Sequence, residues 1–146
     1  MLLLHEMTTS TLNFISLGSG SSGNCYYLYT DDEGIIIDIG IGIRTLKKSF
    51  KEYGLTLSPD TNILITHDHA DHVKTIGAFS KDRDIPVYAT SKVLQGIINN
   101  YRVKHKVPAH LARVIETDKT FRLGEFEITP FTVPHDSSDN VGYSIN

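Results

Sequence analysis

The amino-acid sequence predicts a mixed α/β domain in which helices pack on a sheet. Two short runs, 35–37 and 62–66, are rich in β-branched residues and lack polar alternation, as is typical of strands buried on both faces. Between these runs the apolar residues recur at helical spacing, whereas beyond residue 113 only strand-like runs remain. Strands that alternate with helices and then continue as a run of strands favour this fold class.

Turn residues delimit the predicted strands. The glycine- and serine-rich segment 18–24 separates the first two, and the acidic turn 31–34 separates the second from the third. Cys25 opens the second strand, and we expect its side chain to pack in the core. The predicted strands are 12–17, 25–29, 35–37, 62–66, 86–89, 113–116, 121–123, 126–133 and 141–145.

Three helices are predicted between these strands. The first places lysines opposite an apolar face and ends at Gly54. A short second helix covers 73–79, and a third begins at the capping residue Ser91 and runs to about residue 100. The apolar positions of the first helix are Ile43, Leu46, Phe50 and Tyr53.

The composition excludes several classes of protein. With 146 residues, 40% hydrophobic and 21% charged, the chain fits one globular domain rather than a disordered, fibrous or membrane protein. A net charge of −3 gives no global field for nonspecific nucleic-acid binding. The single cysteine excludes an intrachain disulfide and fits a reducing compartment. We therefore expect a cytoplasmic protein that does not enter a membrane, with a disordered or loosely attached segment at 1–10 and one domain at 11–146.

The most informative segment directly follows a buried strand and concentrates side chains that bind metals. His67 and His69 are two positions apart, so in extended backbone they point to the same side. A turn through Ala70 lets Asp71 and His72 face a second position nearby. Imidazole nitrogens and carboxylate oxygens are ligands that zinc-like ions prefer, so the segment predicts a site for two divalent ions. The alternative is a polar surface loop, which is the usual setting of isolated histidines.

The run Thr66–His72 resembles the HxHxDH signature of the metallo-β-lactamase superfamily. Asp38, at the end of a buried strand, resembles the aspartate that orients the metal-binding loop in that superfamily. Gly40 and Gly42 permit a close approach of the backbone near it. His135 resembles the histidine of the superfamily's third motif, which completes the first metal site.

Residues 17–25 and 134–143 are most similar to the YycJ (WalJ)-type branch of the superfamily. That branch is regarded as hydrolysing phosphodiesters in nucleic acid. The resemblance implies an α/β fold of the metallo-β-lactamase type, an αββα sandwich in which two sheets stack between helices.

The resemblance also implies roles for site residues. Two divalent ions, zinc with manganese or iron as alternatives, would activate a bridging hydroxide at neutral pH. Asp71 would be catalytic, accepting or relaying a proton besides binding metal, and Ser22 and Asn24 would lie near the substrate. The implied ligands are His67, His69 and His135 for one ion and Asp71 and His72 for the other.

The length of the chain departs from the superfamily pattern. A bridging aspartate and a final histidine normally lie downstream of the third motif, whereas eleven residues follow His135. The resemblance therefore implies that the chain covers about the N-terminal half of the sandwich, which would leave an apolar sheet face exposed. We expect a fragment of a longer protein, and a homodimer that completes the sandwich in trans is the alternative.

The expected function is that of a metal-dependent phosphodiesterase or nuclease acting on nucleic acid. A thioester or lactone hydrolase is the first alternative, because glyoxalase II shares the whole HxHxDH run. A fragment that binds metal partially and has no turnover is the second.

One basic stretch leaves two interpretations open. Its side chains either contact a phosphate backbone, with an aromatic ring that stacks on a base, or form a solvated loop. The residues concerned are Arg102, Lys104, Lys106 and Arg113, together with His105, His110 and Tyr101.

Overall fold

The computed structural model describes the backbone of residues 2–4 and describes residues 11–134 and 140–146 in full. The strands are β1 (Leu2–Leu4), β2 (Asn13–Gly18), β3 (Cys25–Tyr29), β4 (Glu33–Ile37), β5 (Asp60–Leu64), β6 (Val87–Thr90), β7 (Ala112–Ile115), β8 (Phe121–Leu123), β9 (Phe126–Thr132) and β10 (Val141–Ile145). The helices are α1 (Ile43–Glu52), α2 (Ala70–Val73), α3 (Ile76–Arg83) and α4 (Ser91–Asn99), with a 3₁₀ turn at Ala109–Leu111.

Six strands form the first sheet, in the order β2-β3-β4-β5-β6-β7. The pairs β2–β3 and β3–β4 are antiparallel, whereas β4 to β7 run parallel. Parallel neighbours need a crossover connection, and the helices supply it: α1 joins β4 to β5, α2 and α3 join β5 to β6, and α4 joins β6 to β7. This arrangement confirms the predicted α/β class.

The central strand β4 explains why its sequence lacks polar alternation. All five of its residues are buried. Ile36 packs with the helical layer, while Ile35 and Ile37 pack with the second sheet. A strand that is covered on both faces needs apolar side chains at every position.

A second sheet of four strands, in the order β1-β10-β9-β8, covers the other face. Its inward side chains include Tyr143, Phe126 and Ile128, which share a buried cluster with Leu64 of β5. The side chains of all four α-helices that reach the core belong to the cluster on the opposite face of the first sheet. Helices, first sheet and second sheet thus form the first three layers of the predicted αββα sandwich.

The expectation of an exposed apolar sheet face is wrong for the described residues. Along β9, the side chains between the buried positions are Glu127, Thr129 and Phe131, and Phe131 is half-buried. The large hydrophobic side chains that are exposed in the described ranges all lie elsewhere. Of the three outward positions between the buried residues of β9, two are therefore polar.

Tertiary hydrogen bonds move several element boundaries away from the predicted ones. Strand β5 ends at Leu64 instead of residue 66, because the N–H of Thr66 donates to the side chain of Asp38 (2.8 Å). The predicted helix 73–79 is divided at Thr75, whose N–H donates to the carbonyl of Ile39 (3.2 Å). These bonds join residues far apart in sequence, so local patterns do not reveal them.

The cap of α4 is also shifted by one residue. Thr90, rather than the predicted Ser91, accepts the N–H of Val93 with its side chain (3.3 Å). Both residues are hydroxylic and good N-caps, so the sequence alone cannot choose between them.

At the N-terminus, the backbone of Leu2–Leu4 pairs in parallel with β10. The other residues of the predicted tail 1–10 lie outside the described residues, and the division into a tail and a domain at 11–146 stays a prediction. Within the described ranges, each helix is too short or too polar to cross a membrane.

Candidate metal centre

Three of the predicted ligands form a compact group just beyond the end of β5. One ligand atom each of His67, His69 and Asp71 lies within 4.8 Å of the others. His67 is buried, Asp71 is half-buried and His69 is exposed, so the group can be reached from solvent. Two imidazoles and a carboxylate form a donor set suited to a zinc-like ion. The side chains present therefore fit the metal that the motif implies.

Backbone hydrogen bonds fix the loop that carries these ligands. The N–H of Asn24 donates to the carbonyl of Asp71 (2.7 Å), and the N–H of Ile39 donates to the carbonyl of His72 (2.7 Å). Gly40 lies against the same loop, where a Cβ atom would be 1.7 Å from the carbonyl oxygen of Asp71. The close approach expected at Gly40 is therefore present, and any side chain there would displace the ligand loop.

Gly42 does not share this role. The nearest atom to a Cβ placed at Gly42 is the Thr45 hydroxyl, at 3.9 Å. The expectation of a close backbone approach at this second glycine is wrong, since Gly42 lies at the start of α1 with ordinary space around it.

Asp38 and His72 form a short contact that orients the imidazole. Nδ1 of His72 lies 2.6 Å from Oδ2 of Asp38. With the proton on Nδ1, His72 donates to the carboxylate, and its Nε2 carries the lone pair that can bind a metal. Nε2 lies 3.7 Å from Oδ2 of Asp71 and so faces the ligand group. This geometry supports the orienting role that the resemblance assigns to Asp38.

The carboxylate of Asp38 is held on all sides. It is 1% exposed, and its two oxygens accept the N–H of Thr66 (2.8 Å) and the Thr66 hydroxyl (2.6 Å) besides facing His72. Its backbone has φ = 61°, in the left-handed region that aspartate tolerates better than most residues. A buried carboxylate is stable there because each of its contacts is to a donor.

Burial shifts the pKa values of His67 and Cys25. Burial, followed by the neighbouring His72, lowers the pKa of His67 to about 4. The His67 ring is therefore neutral at physiological pH, which is the state that binds metal. Burial also raises the pKa of Cys25, whose side chain is fully buried in the core cluster on the helical side, as predicted.

Asn24 connects the glycine- and serine-rich loop to the ligands. Its Nδ2 donates to the carbonyls of Gly20 (2.9 Å) and Asp71 (3.1 Å) and lies 3.2 Å from Nε2 of His72. Asn24 is buried, whereas Ser22 is exposed and lines a cleft beside Asp71. Asn24 thus contacts the ligand loop directly, and the position of Asn24 and Ser22 near the substrate stays a prediction.

Two clefts meet at the ligand group, since His69 and Asp71 line both. The first, of about 670 Å³, also includes Ser22, Lys74 and Tyr101 in its lining. The second, of about 410 Å³, reaches Tyr26 and Asn140. A substrate in either cleft would contact the side chains that fit a metal ion.

Some residues of the basic stretch hydrogen-bond to backbone carbonyls, whereas others line the first cleft. Nζ of Lys106 donates to the carbonyls of Ile97 (3.0 Å) and Asn100 (2.7 Å) at the end of α4. Arg113 donates to the carbonyls of His110 and Ala112. Of the seven residues in this stretch, only Tyr101 and Arg102 line the cleft. The sequence pattern missed two other lining residues, Lys74 and Asn100, because the fold alone brings them there.

His135 lies outside the described residues, so its role as a ligand stays a prediction. The described residues on either side come together, because the N–H of Val133 donates to the carbonyl of Asn140 (3.0 Å). Asn140 lines the second cleft together with His67.

Comparison with known proteins gives matches over most of the chain. Residues 34–146 match the family model described as "Beta-lactamase superfamily domain". The exodeoxyribonuclease YycJ of Bacillus anthracis is 33% identical over 138 residues, which cover 92% of this chain and 50% of the relative. The exodeoxyribonuclease WalJ of Streptococcus pneumoniae is 31% identical, over 83% of this chain and 45% of the relative. The chain therefore spans about half the length of these curated relatives.

Solved structures agree on the fold. BJP-1, a subclass B3 metallo-β-lactamase of Bradyrhizobium japonicum, superposes with a TM-score of 0.73 at 18% identity, covering 94% of this chain and 55% of that one. The B3 metallo-β-lactamase BLEG-1 superposes with a TM-score of 0.67 at 26% identity, covering 90% and 66%. The family model matches residues 34–146, which is well over half of the chain. The protein therefore belongs to the β-lactamase superfamily.

Proposed function

We propose that this chain provides the metal centre of a hydrolase that cleaves phosphodiester bonds in nucleic acid. The observation that carries the proposal is the grouping of His67, His69 and Asp71 within 4.8 Å where two clefts meet. The relatives named as exodeoxyribonucleases, together with a ribonuclease J of Mycoplasma genitalium that is 30% identical over 84% of this chain, support nucleic acid as the substrate.

The residues divide between two proposed ions. His67 and His69, with His135, would hold the first, and Asp71 and His72 would hold the second. Asp71 is close to both groups, since it lies within 4.8 Å of the two histidine ligands and 3.7 Å from Nε2 of His72. Two divalent ions, for which we propose zinc, would supply a hydroxide nucleophile at neutral pH and neutralise charge on the phosphate oxygens.

The chain's own residues prepare this chemistry. Asp38 holds the imidazole of His72 with Nε2 facing the ligand group. Asp71 presents a half-buried carboxylate, which we propose as the group that accepts or relays the proton of the nucleophile. A cytoplasmic location is part of the same proposal, and the homodimer stays a prediction.

Hydrolysis assays with a matched histidine control test the proposal. We expect the metal-loaded chain to cleave bis(p-nitrophenyl) phosphate and single-stranded DNA. His67→Ala should lower this activity at least 100-fold, since even the loss of a residue that only supports a ligand costs about 10- to 100-fold in metal affinity or activity. His110→Ala should change nothing, because that side chain is 71% exposed and absent from both clefts.

Other substrates identify the alternatives. Cleavage of a glutathione thioester without cleavage of either phosphodiester would contradict the proposal and favour the thioester hydrolase. Bound metal without turnover of any substrate would identify a chain that holds the centre but does not catalyse by itself.

A further inference from the structure

The first cleft carries a feature that the metal centre does not explain. Tyr101 lines the cleft and is 82% exposed. Cζ of Arg102 lies 5.7 Å from the centre of that ring, and Nε of Arg102 lies 3.3 Å from the Tyr101 hydroxyl. An aromatic face and a guanidinium are thus presented together to solvent.

The loop that carries these two side chains is anchored on both sides. Nδ2 of Asn100 donates to the carbonyl of Asp68 (2.9 Å), which lies between the first two histidine ligands in sequence. Val103 is buried in the core cluster on the helical side, and a Cβ at Gly77 of α3 would lie 1.9 Å from the carbonyl of His105. Tyr101 therefore projects from a fixed support that is tied directly to the metal-binding loop.

Other lining residues of the cleft add a second cation and hydroxyl groups. Lys74, just after α2, is exposed, and Ser21 and Ser22 line the cleft from the loop between β2 and β3. Among the described residues, neither Lys74 nor Arg102 takes part in an ion pair with a carboxylate. Both cations are consequently available to an anionic ligand in a cleft that also contains His69 and Asp71.

We propose that this cleft binds one nucleotide unit of a single-stranded nucleic acid, with the base stacked on Tyr101 and the adjoining phosphates held by Lys74 and Arg102. The inference rests on the proposed function and specifies how its substrate is held. A strand is recognised in this way when an aromatic platform is combined with cations that follow its backbone. A duplex is not, because its bases are already stacked and do not offer a free face.

The binding test uses metal-free chain and a fluorescein-labelled single-stranded DNA of 12 thymidines, about the length that a small single-strand site accommodates. Fluorescence anisotropy in EDTA measures Kd without any contribution from bound metal or cleavage. We expect Tyr101→Ala to weaken binding by about 5- to 150-fold, the range that base stacking provides, and Tyr101→Phe to restore most of it.

Salt dependence tests the two cations. The double variant Lys74→Gln, Arg102→Gln should reduce the slope of log K against log salt by about 0.7 for each phosphate that is no longer neutralised. The control double variant Lys119→Gln, Arg122→Gln makes the same change in charge on exposed residues outside the cleft, and its slope should equal that of the unsubstituted chain.

Three outcomes would overturn the inference: equal binding by Tyr101→Ala, equal slopes for both double variants, or equal affinity for polyglutamate, which has charge but no bases. Hydrolysis of bis(p-nitrophenyl) phosphate by the unsubstituted chain tests the proposed function separately. If that hydrolysis is absent while the variants weaken DNA binding, the cleft is a nucleic-acid site and only the proposed reaction is wrong.

Discussion

Replacing Gly40 by alanine should unfold or severely destabilise the ligand loop. The new Cβ would lie 1.7 Å from the carbonyl oxygen of Asp71, 2.1 Å from its carbonyl carbon and 2.6 Å from the nitrogen of His72. All three are backbone atoms that cannot rotate away, so the two segments must separate. Overpacking combined with the loss of two or three hydrogen bonds should lower the free energy of unfolding by about 3–5 kcal/mol.

Urea denaturation measures this loss, and a zinc titration measures the associated loss of metal affinity. Gly42→Ala is the control, because the nearest atom to its Cβ is 3.9 Å away and its φ of −68° suits alanine. We expect the control to stay within about 1 kcal/mol of the unsubstituted chain, the usual range for a change at a helix cap. A Gly40→Ala chain as stable as this control would show that the contact between the two segments is not required.

Two replacements of Asp38, by alanine and by asparagine, should distinguish its contribution to stability from its contribution to metal affinity. Asp38→Ala leaves the N–H and hydroxyl of Thr66 and Nδ1 of His72 without their acceptor. Each buried donor without a partner costs about 1–3 kcal/mol, so we expect the variant to lose at least about 3 kcal/mol of stability and at least 10-fold in metal affinity.

The isosteric variant Asp38→Asn gives the sharper result. An amide keeps the shape and tolerates the left-handed backbone at φ = 61°, but its NH₂ group can face His72 and move the imidazole proton to Nε2. We expect a stability loss of about 1 kcal/mol, as for one weakened hydrogen bond, together with a loss of metal affinity close to that of alanine.

Asp84→Ala controls for the backbone in this experiment. Asp84 has a similar φ of 55°, and its side chain is 82% exposed and lies 3.7 Å from Nε2 of His110. An exposed pair of this kind contributes little to stability, so this variant reports mainly the cost of alanine in the left-handed region. Calorimetry for Tm and a competitive zinc titration provide the two readouts. Equal metal affinities for Asp38→Asn and the unsubstituted chain would contradict the orienting role of Asp38.

Local patterns in the sequence predicted the grouping of three ligand residues in the metal-binding segment and every strand except β1. β4 is buried on both faces, as its uninterrupted isoleucines predict. His67, His69 and Asp71 come together because a strand end and a short helical turn fix their directions within five residues. Both the burial of β4 and the grouping of the ligands are determined by residues that are close together in the sequence.

What could not be predicted depends on contacts between distant segments. Lys74 and Asn100 join the first cleft only because α2 and the end of α4 meet beside the same loop. Lys106 is one member of a basic stretch in the sequence, yet its ammonium group caps α4. Gly40 and Asp71 are 31 positions apart in the sequence, so the periodicity of apolar residues gives no sign of their contact.

The metal content of the dialysed chain tests the central claim most directly. After exposure to zinc and exhaustive dialysis, atomic emission should find two equivalents in the unsubstituted chain and at most one in His67→Ala, whereas His110→Ala should match the unsubstituted chain. One equivalent would retain the His67, His69 and Asp71 site and contradict the second ion. A chain that retains no zinc, or the same amount with and without His67, would contradict the metal centre itself.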